Sequence, residues 1–185
     1  LIGGQFTSRI NRRLREEKGV TYGARSSFDF RRYGGVFSCD TSVQADATAE
    51  AVLDVLDELS AVRRELVGLA ELEAAKEALT RGYVRHFETA GHLTRGLAQL
   101  KTLDLPEDTF SRFVSSVEAV TPDAIRDAAC AHLDPARATF VAAFAYLLSR
   151  VARADHDVSV EETATMEQLV AAKSGGNIKI QVFPG

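Results

Sequence analysis

Cysteine is scarce in this 185-residue chain: Cys39 and Cys130 are the only two, far apart and in no metal or redox spacing. That excludes a disulfide framework and a thiolate metal cluster, and it reads the pair as unpaired core thiols. Free thiols lean towards a reducing compartment, which slightly favours a cytoplasmic setting. No apolar run approaches the length of a membrane span, and no signal peptide is present. The chain opens at Leu1 and inside a motif, so it reads as a fragment of a longer protein. An excess of one charge is also missing: 22 Lys and Arg against 26 Asp and Glu leave a net charge of −4. That balance argues against a dominant nucleic-acid role, so neither nucleic acid nor a membrane is an expected partner.

What remains is an ordinary soluble composition, 45% apolar and 26% charged, long enough to bury one sizeable core. The informative stretch is Phe6 to Gly23, FTSRINRRLREEKGVTYG. Phe6, Ile10 and Leu14 recur every four residues and predict one stripe of a helix, with Arg9, Arg12, Arg13 and Arg15 on the other faces. Lys18 followed by Gly19 predicts the helix end, a cation near the last carbonyls and then a residue that tolerates the left-handed conformation. Arg15 then lies in the last helical turn, and Tyr22 lies seven residues on, at the start of a strand. A tight turn between them brings guanidinium and phenol towards one place.

The order Gly3-Gly4, Ser8-Arg9-Ile10, Leu14-Arg15-Glu16, Gly19 and Tyr22-Gly23 resembles the signature of the C-terminal domain of the insulinase/pitrilysin zinc peptidases, which include the mitochondrial processing peptidases. Ile10, where the family shows leucine, is the one mild departure. The resemblance implies that Arg15 and Tyr22 reach across to the zinc site of a partner domain or subunit. They are the candidate catalytic and substrate-binding residues. A phenol can donate a hydrogen bond to the oxyanion of peptidolysis, and a guanidinium can hold a substrate carbonyl. Neither binds zinc.

Further along, Thr21 to Phe30 and Val36 to Val43 predict two strands, with residues 31–35 as a hairpin loop. Tyr22, Ala24, Phe28 and Phe30 share one parity, and Phe37, Cys39 and Val43 share another. Apolar spacing predicts helices over Val52 to Val62, Leu72 to Phe87, Leu93 to Leu100 and Phe110 to Val117, with a break near Ala90-Gly91. Thr121-Pro122 opens a fifth helix, ended before Pro135, and Ala138 to Val141 begins a strand. The fold expected is α+β: a partial processing-peptidase-like α/β sandwich over residues 1–141, its sheet carrying helices on one face.

From Ala142 the pattern turns helical. Val151-Ala152-Arg153-Ala154-Asp155, Val158-Ser159 and Glu162 resemble the TerB-like domain of tellurite resistance and imply a helical hairpin over 142–173. The tail 174–185 carries a short strand in which Ile178, Ile180 and Val182 alternate with polar residues.

Rival chemistries are weaker. The His-x-x-Glu-His helix that supplies zinc in this family is absent, since His86, His92, His132 and His156 lack the spacing. Glu88 and His92 fall at the spacing of one helix face, but Gly91 interrupts it. His86-Phe87-Glu88 matches a deaminase fragment without its cysteines. Asp155-His156-Asp157 opens like a calcium loop, yet Val160 and Met166 occupy the places of the required glycine and glutamate. Ser159 and Glu162 read better as a capping box.

The resemblance thus implies a C-terminal domain of a zinc metalloendopeptidase, acting on peptide substrate with zinc held by the partner and none by this chain. The alternatives are an inactive structural or partner subunit of the same family, and a TerB-like stress module.

Overall fold

The computed structural model of the chain describes residues 1–142 and 179–182. Its elements are α+β. A short helix α1 (Arg9–Asn11) runs directly into a π-helical segment, Arg12–Glu17, and the hairpin of β1 (Thr21–Arg31) and β2 (Gly34–Val43) follows. Helices α2 (Thr48–Arg64), α3 (Leu69–Tyr83), α4 (Ala90–Leu103), α5 (Thr109–Glu118) and α6 (Pro122–His132) come next. The parallel pair β3 (Thr139–Ala142) and β4 (Lys179–Val182) closes the described chain.

Two apolar clusters hold these elements together. Ile10 and Leu14, 1% and 0% exposed, pack with Ala24 of β1 and Ala51 of α2, flanked by Cys39 and Val43. Leu59 and Val62 of α2 pack with Leu72 of α3 and with Ala129 and Leu133 of α6 and its end, flanked by Phe37. One face of the hairpin therefore packs on helices through Ala24, Phe37, Cys39 and Val43, while most of its other residues are exposed. Thr121 caps α6, accepting from the Ala124 N–H at 3.2 Å, with Pro122 in the first turn.

Several expectations need correcting. Phe6 does not extend the Ile10–Leu14 stripe: the helix begins at Arg9, and Phe6 is 68% exposed in the turn before it. The carbonyls of Leu1 and Ile2 take the Arg9 and Ile10 N–H groups at 3.0 Å each, so the chain doubles back before the helix starts. The hairpin loop is only Arg32-Tyr33, because Arg31 and Gly34 already pair across it. Gly34 takes φ +150° there, a glycine conformation.

The break before α4 falls at Glu88-Thr89, not at Gly91. Thr89 caps α4 through the His92 N–H at 3.1 Å, and Gly91 lies inside the first turn. Leu72 reaches the core, but Leu79, two turns on, lies beyond it and is exposed, as are Leu93 and Leu97. Cys130 is exposed, since Ala129 and Leu133 are the residues α6 and its end turn inward. Only Cys39 is partly buried, and burial pushes its thiol up to about 11.

Ala142, expected to open the helical stretch, instead ends β3, where it pairs with Val182. β4 supplies the strand expected in the tail. Residues 143–178 lie outside the described residues, and with them the TerB-like run, the calcium-loop imitation and the hairpin expected over 142–173.

Candidate functional site

The π-helical segment sets the site up. Its last amide, Lys18 N–H, reaches back to the Arg13 carbonyl at 3.2 Å. Gly19 takes φ +65°, and the Val20 N–H bonds the Leu14 carbonyl at 3.0 Å. A left-handed residue is what turns the chain here from helix into strand, so Gly19 is required by its conformation. The turn is pinned to α2. Asp54, 4% exposed, accepts from Arg13 Nε at 3.0 Å and from Lys18 Nζ at 2.5 Å, and Lys18 also reaches Glu50. A carboxylate this deep is tolerable only because both cations meet it.

Strand β1 begins irregularly. Thr21 pairs with Val43, but Ala24 pairs with Thr41, so Tyr22 and Gly23 together oppose Ser42 alone. That is a β-bulge, a device that re-aims side chains. Tyr22 is consequently fully exposed, while Ala24, of the same expected parity, is buried. The backbone groups released by the bulge find side chains. Gly23 N–H donates to Thr21 Oγ1 at 3.1 Å, and the Gly23 carbonyl accepts from the Thr41 hydroxyl at 3.1 Å. Thr21 donates to the Ser42 carbonyl at 2.7 Å.

Ala24 meets the buried carboxamide of Asn11: its N–H donates to Oδ1 and its carbonyl accepts from Nδ2, both at 2.7 Å. The Gly3 carbonyl accepts from the Ser26 N–H at 2.9 Å, so residues 1–3 run beside β1.

An open groove of about 1110 Å³ lies between these walls. Gly3, Gly4, Gln5 and Phe6 form one side, and Tyr22 to Ser27 with Asp40 to Ser42 form the other. Tyr22 therefore stands at the groove. Arg15 does not line it and makes no contact with Tyr22, but its guanidinium lies 3.4 Å from the centre of the Phe6 ring at the groove's edge. Arg15 Nη2 approaches Glu16 only at 3.5 Å, and its buried Nη1 has no hydrogen-bond partner among the described residues. The arrangement offers a phenol exposed to solvent at the groove and, apart from it, a guanidinium over Phe6 whose Nη1 has no partner among the described residues.

A zinc ion does not fit the described residues, among which no group of three or more His, Cys, Asp or Glu could hold a metal. Glu88 precedes the cap of α4 while His92 lies within the helix, and His92 Nδ1 is engaged with the Arg85 carbonyl at 2.8 Å. Much of the basic face is spent on structure: Arg9 grips Glu71 with Nε at 2.6 Å and Nη2 at 2.7 Å. No helix among the described residues is long and apolar enough to cross a membrane.

Periodicity missed Asn11, Thr41 and Phe6 as parts of this site. A buried amide inside an otherwise basic helix is the one signal that could have marked Asn11.

With this geometry in view, comparison with known proteins is informative. The family model described as the peptidase M16 inactive domain matches residues 1–79, which contain the whole groove. Among solved structures, the fold is similar to that of the peptidase M16 inactive domain from Pseudomonas fluorescens, with TM-score 0.65 and 22% identity over 72% of this chain and 32% of that one. A conserved protein from Enterococcus faecalis V583 has TM-score 0.59 and 21% identity over 69% of this chain and 29% of the other. A protease from Helicobacter pylori has TM-score 0.56 and 13% identity over 73% and 32%. At these identities the likeness is one of fold. The chain spans about a third of the length of each of these structures. No curated protein matches it. The family-model match and the shared fold support the insulinase-family resemblance of the opening stretch.

Proposed function

We propose that this chain is the non-zinc-binding C-terminal domain of an insulinase-type metalloendopeptidase, and that it lends Arg15 and Tyr22 to a peptide-cleaving site completed by a zinc-bearing partner domain or subunit. The observation that carries the reading is Arg15. Its guanidinium lies 3.4 Å from the centre of the Phe6 ring beside the groove, and its Nη1 has no hydrogen-bond partner among the described residues. A guanidinium held at the groove's edge keeps its planar fork and its charge, the features with which arginine can hold a substrate carbonyl.

Tyr22 has the complementary role. Its phenol, fully exposed on the bulge, can donate to an oxygen on which negative charge develops. Such a bond strengthens only as the charge forms, so it acts on turnover more than on binding.

The test is steady-state kinetics of the peptidase reassembled from this chain and its zinc-bearing partner, on an internally quenched peptide library. Tyr22→Phe should lower turnover by about two to three orders of magnitude, the size seen for a single oxyanion donor, with melting temperature unchanged. Arg15→Lys should instead raise KM, since lysine keeps the charge and loses the planar fork. Full turnover by Tyr22→Phe would sink the catalytic assignment. It would leave the second reading, a non-catalytic partner subunit, which the description of the matching family model as an inactive domain favours.

A further inference from the structure

We infer that Asn11 is the positioning residue of the Tyr22 phenol: its buried carboxamide occupies the place of a third strand beside β1 and fixes the backbone from which Tyr22 projects. The inference deepens the reading of Tyr22 given above and rests on it.

Asn11 is 5% exposed and uses both ends of its amide. Oδ1 accepts from the Ala24 N–H at 2.7 Å. Nδ2 donates to the Ala24 carbonyl at 2.7 Å and to the Gln5 carbonyl at 2.9 Å, with Ser8 Oγ a longer contact at 3.2 Å. The N–H of Ala24 can face only an acceptor and its carbonyl only a donor, so the amide has one orientation. A single planar side chain thereby satisfies two strand groups that would otherwise be buried and unpaired.

Its location gives the pairing its consequence. Ala24 is the first residue after the bulge, and Gln5 belongs to the opposite wall of the groove. A Cβ built on Gly23 would sit 3.6 Å from Asn11 Oδ1, so the amide also lies under the bulge itself. Asn11 thus ties both walls to the helix that carries Arg15. A β-bulge has an extra residue with no ladder partner, and its side chain is free to swing unless the flanking residues are held. Here Thr21 and Thr41 hold one flank, and Asn11 holds the other.

Asn11→Asp separates this role from mere packing, because it keeps the shape and the acceptor but exchanges the donor for a second oxygen. At neutral pH a carboxylate would face the Ala24 and Gln5 carbonyls. Protonation would restore a donor, and burial raises the pH at which that occurs. Hydrogen-exchange protection of the full chain should therefore fall at Tyr22, Gly23 and Ala24 by about tenfold or more near pH 7, and return towards the parent value as pH falls. Asn11→Leu should lose the same protection with no return.

In the reassembled peptidase, Asn11→Asp should lower turnover by about ten- to a hundredfold near pH 7, the scale of a misplaced catalytic group. In a Tyr22→Phe background the same substitution should cost less than about twofold, because the group it positions is gone. A full additional loss in that background would overturn the inference, as would Asp and Leu variants indistinguishable at every pH. Should Asn11→Asp not fold, the parent chain still decides: an Ala24 amide exchanging as fast as exposed loop amides would overturn the clamp. If Tyr22→Phe alone keeps full turnover, the catalytic reading of Tyr22 falls and the positioning role falls with it. The exchange measurements still decide, separately, whether the amide clamp exists.

Discussion

The two ends of one hairpin are built by different physics. At its base, around Thr21 to Ser26, the register slips by one residue, and the backbone is held by Asn11, Thr21, Thr41 and Gly3. Towards its tip, from Arg25 to Arg31, every residue has a single partner. There Phe28 leans on Phe37 across the ladder at 4.9 Å between ring centres and stacks on Phe30 at 5.6 Å. The tip is a regular antiparallel ladder held by aromatic pairs. The base gives up that regularity, and side chains of Asn11, Thr21 and Thr41 take up backbone groups of Gly23 and Ala24 there. A strand end that only had to hold together would not need so many dedicated partners. Under the proposed reading the base would present Tyr22 while the tip only coheres, and substitutions in the two should then fail in different ways.

The largest effect on stability is expected at the base. Gly3 passes so close to β1 that an added Cβ would lie 2.8 Å from both Ser26 N and Ser26 Oγ. The obstacle includes backbone, so the two segments must move apart and the Gly3–Ser26 bond with them. Gly3→Ala should cost about 1–3 kcal/mol, the range for overpacking. Gly4→Ala is the control, since a Cβ there meets nothing within 4 Å. Denaturant unfolding of both variants measures the gap. Equal stabilities would mean that residues 1–3 do not pack on β1 as described.

How much of this was readable beforehand depended on the range of the interaction. Gly19, the Thr121-Pro122 helix start and the hairpin are set by near neighbours, and the sequence announces them. The Arg15-to-Tyr22 spacing is likewise local, so both residues stood out from their surrounding signature. Asn11 did not, because its partner Ala24 is thirteen residues away and the contact follows no period. Asp54 was hidden too: it lies among apolar residues of α2, and its cations Arg13 and Lys18 come from 41 and 36 residues earlier. Phe6 misled for the opposite reason. Its four-residue spacing to Ile10 is genuine, but the chain doubles back through Gly3 before any helix can include it.

A smaller effect belongs to the tip. Phe28→Leu keeps an apolar side chain of similar bulk but removes both ring contacts. Phe28 is 48% exposed, so little burial is lost, and the cost should be about 0.5–1.5 kcal/mol. Turnover of the folded, reassembled peptidase should not change. If it fell as it does for Tyr22→Phe, the tip would be part of the working surface and the division between base and tip would collapse.

The smallest effect concerns the strut behind the base and depends on pH. Arg9, at the start of the helix that carries Asn11, holds Glu71 of α3 through two charge-assisted bonds. Those bonds, above all, draw the Glu71 carboxyl below its ordinary value. A carboxyl whose folded value is depressed adds stability above its unfolded value of about 4.3, and that stability is lost as pH falls through the folded value. Glu71→Gln should therefore be less stable than the parent at pH 7, by up to about 1 kcal/mol for a partly exposed pair. Below the unfolded value of about 4.3 this contribution starts to fade, and it is gone once the folded carboxyl has protonated, so the two unfolding curves should converge as pH falls. The measurement is denaturant unfolding of parent and variant at pH 7 and in steps down to about pH 3. A gap that stays constant through the acid range would show that the Arg9–Glu71 charge pair does not support α1. The orientation of Asn11 would then rest on the apolar contacts of Ile10 and Leu14 alone.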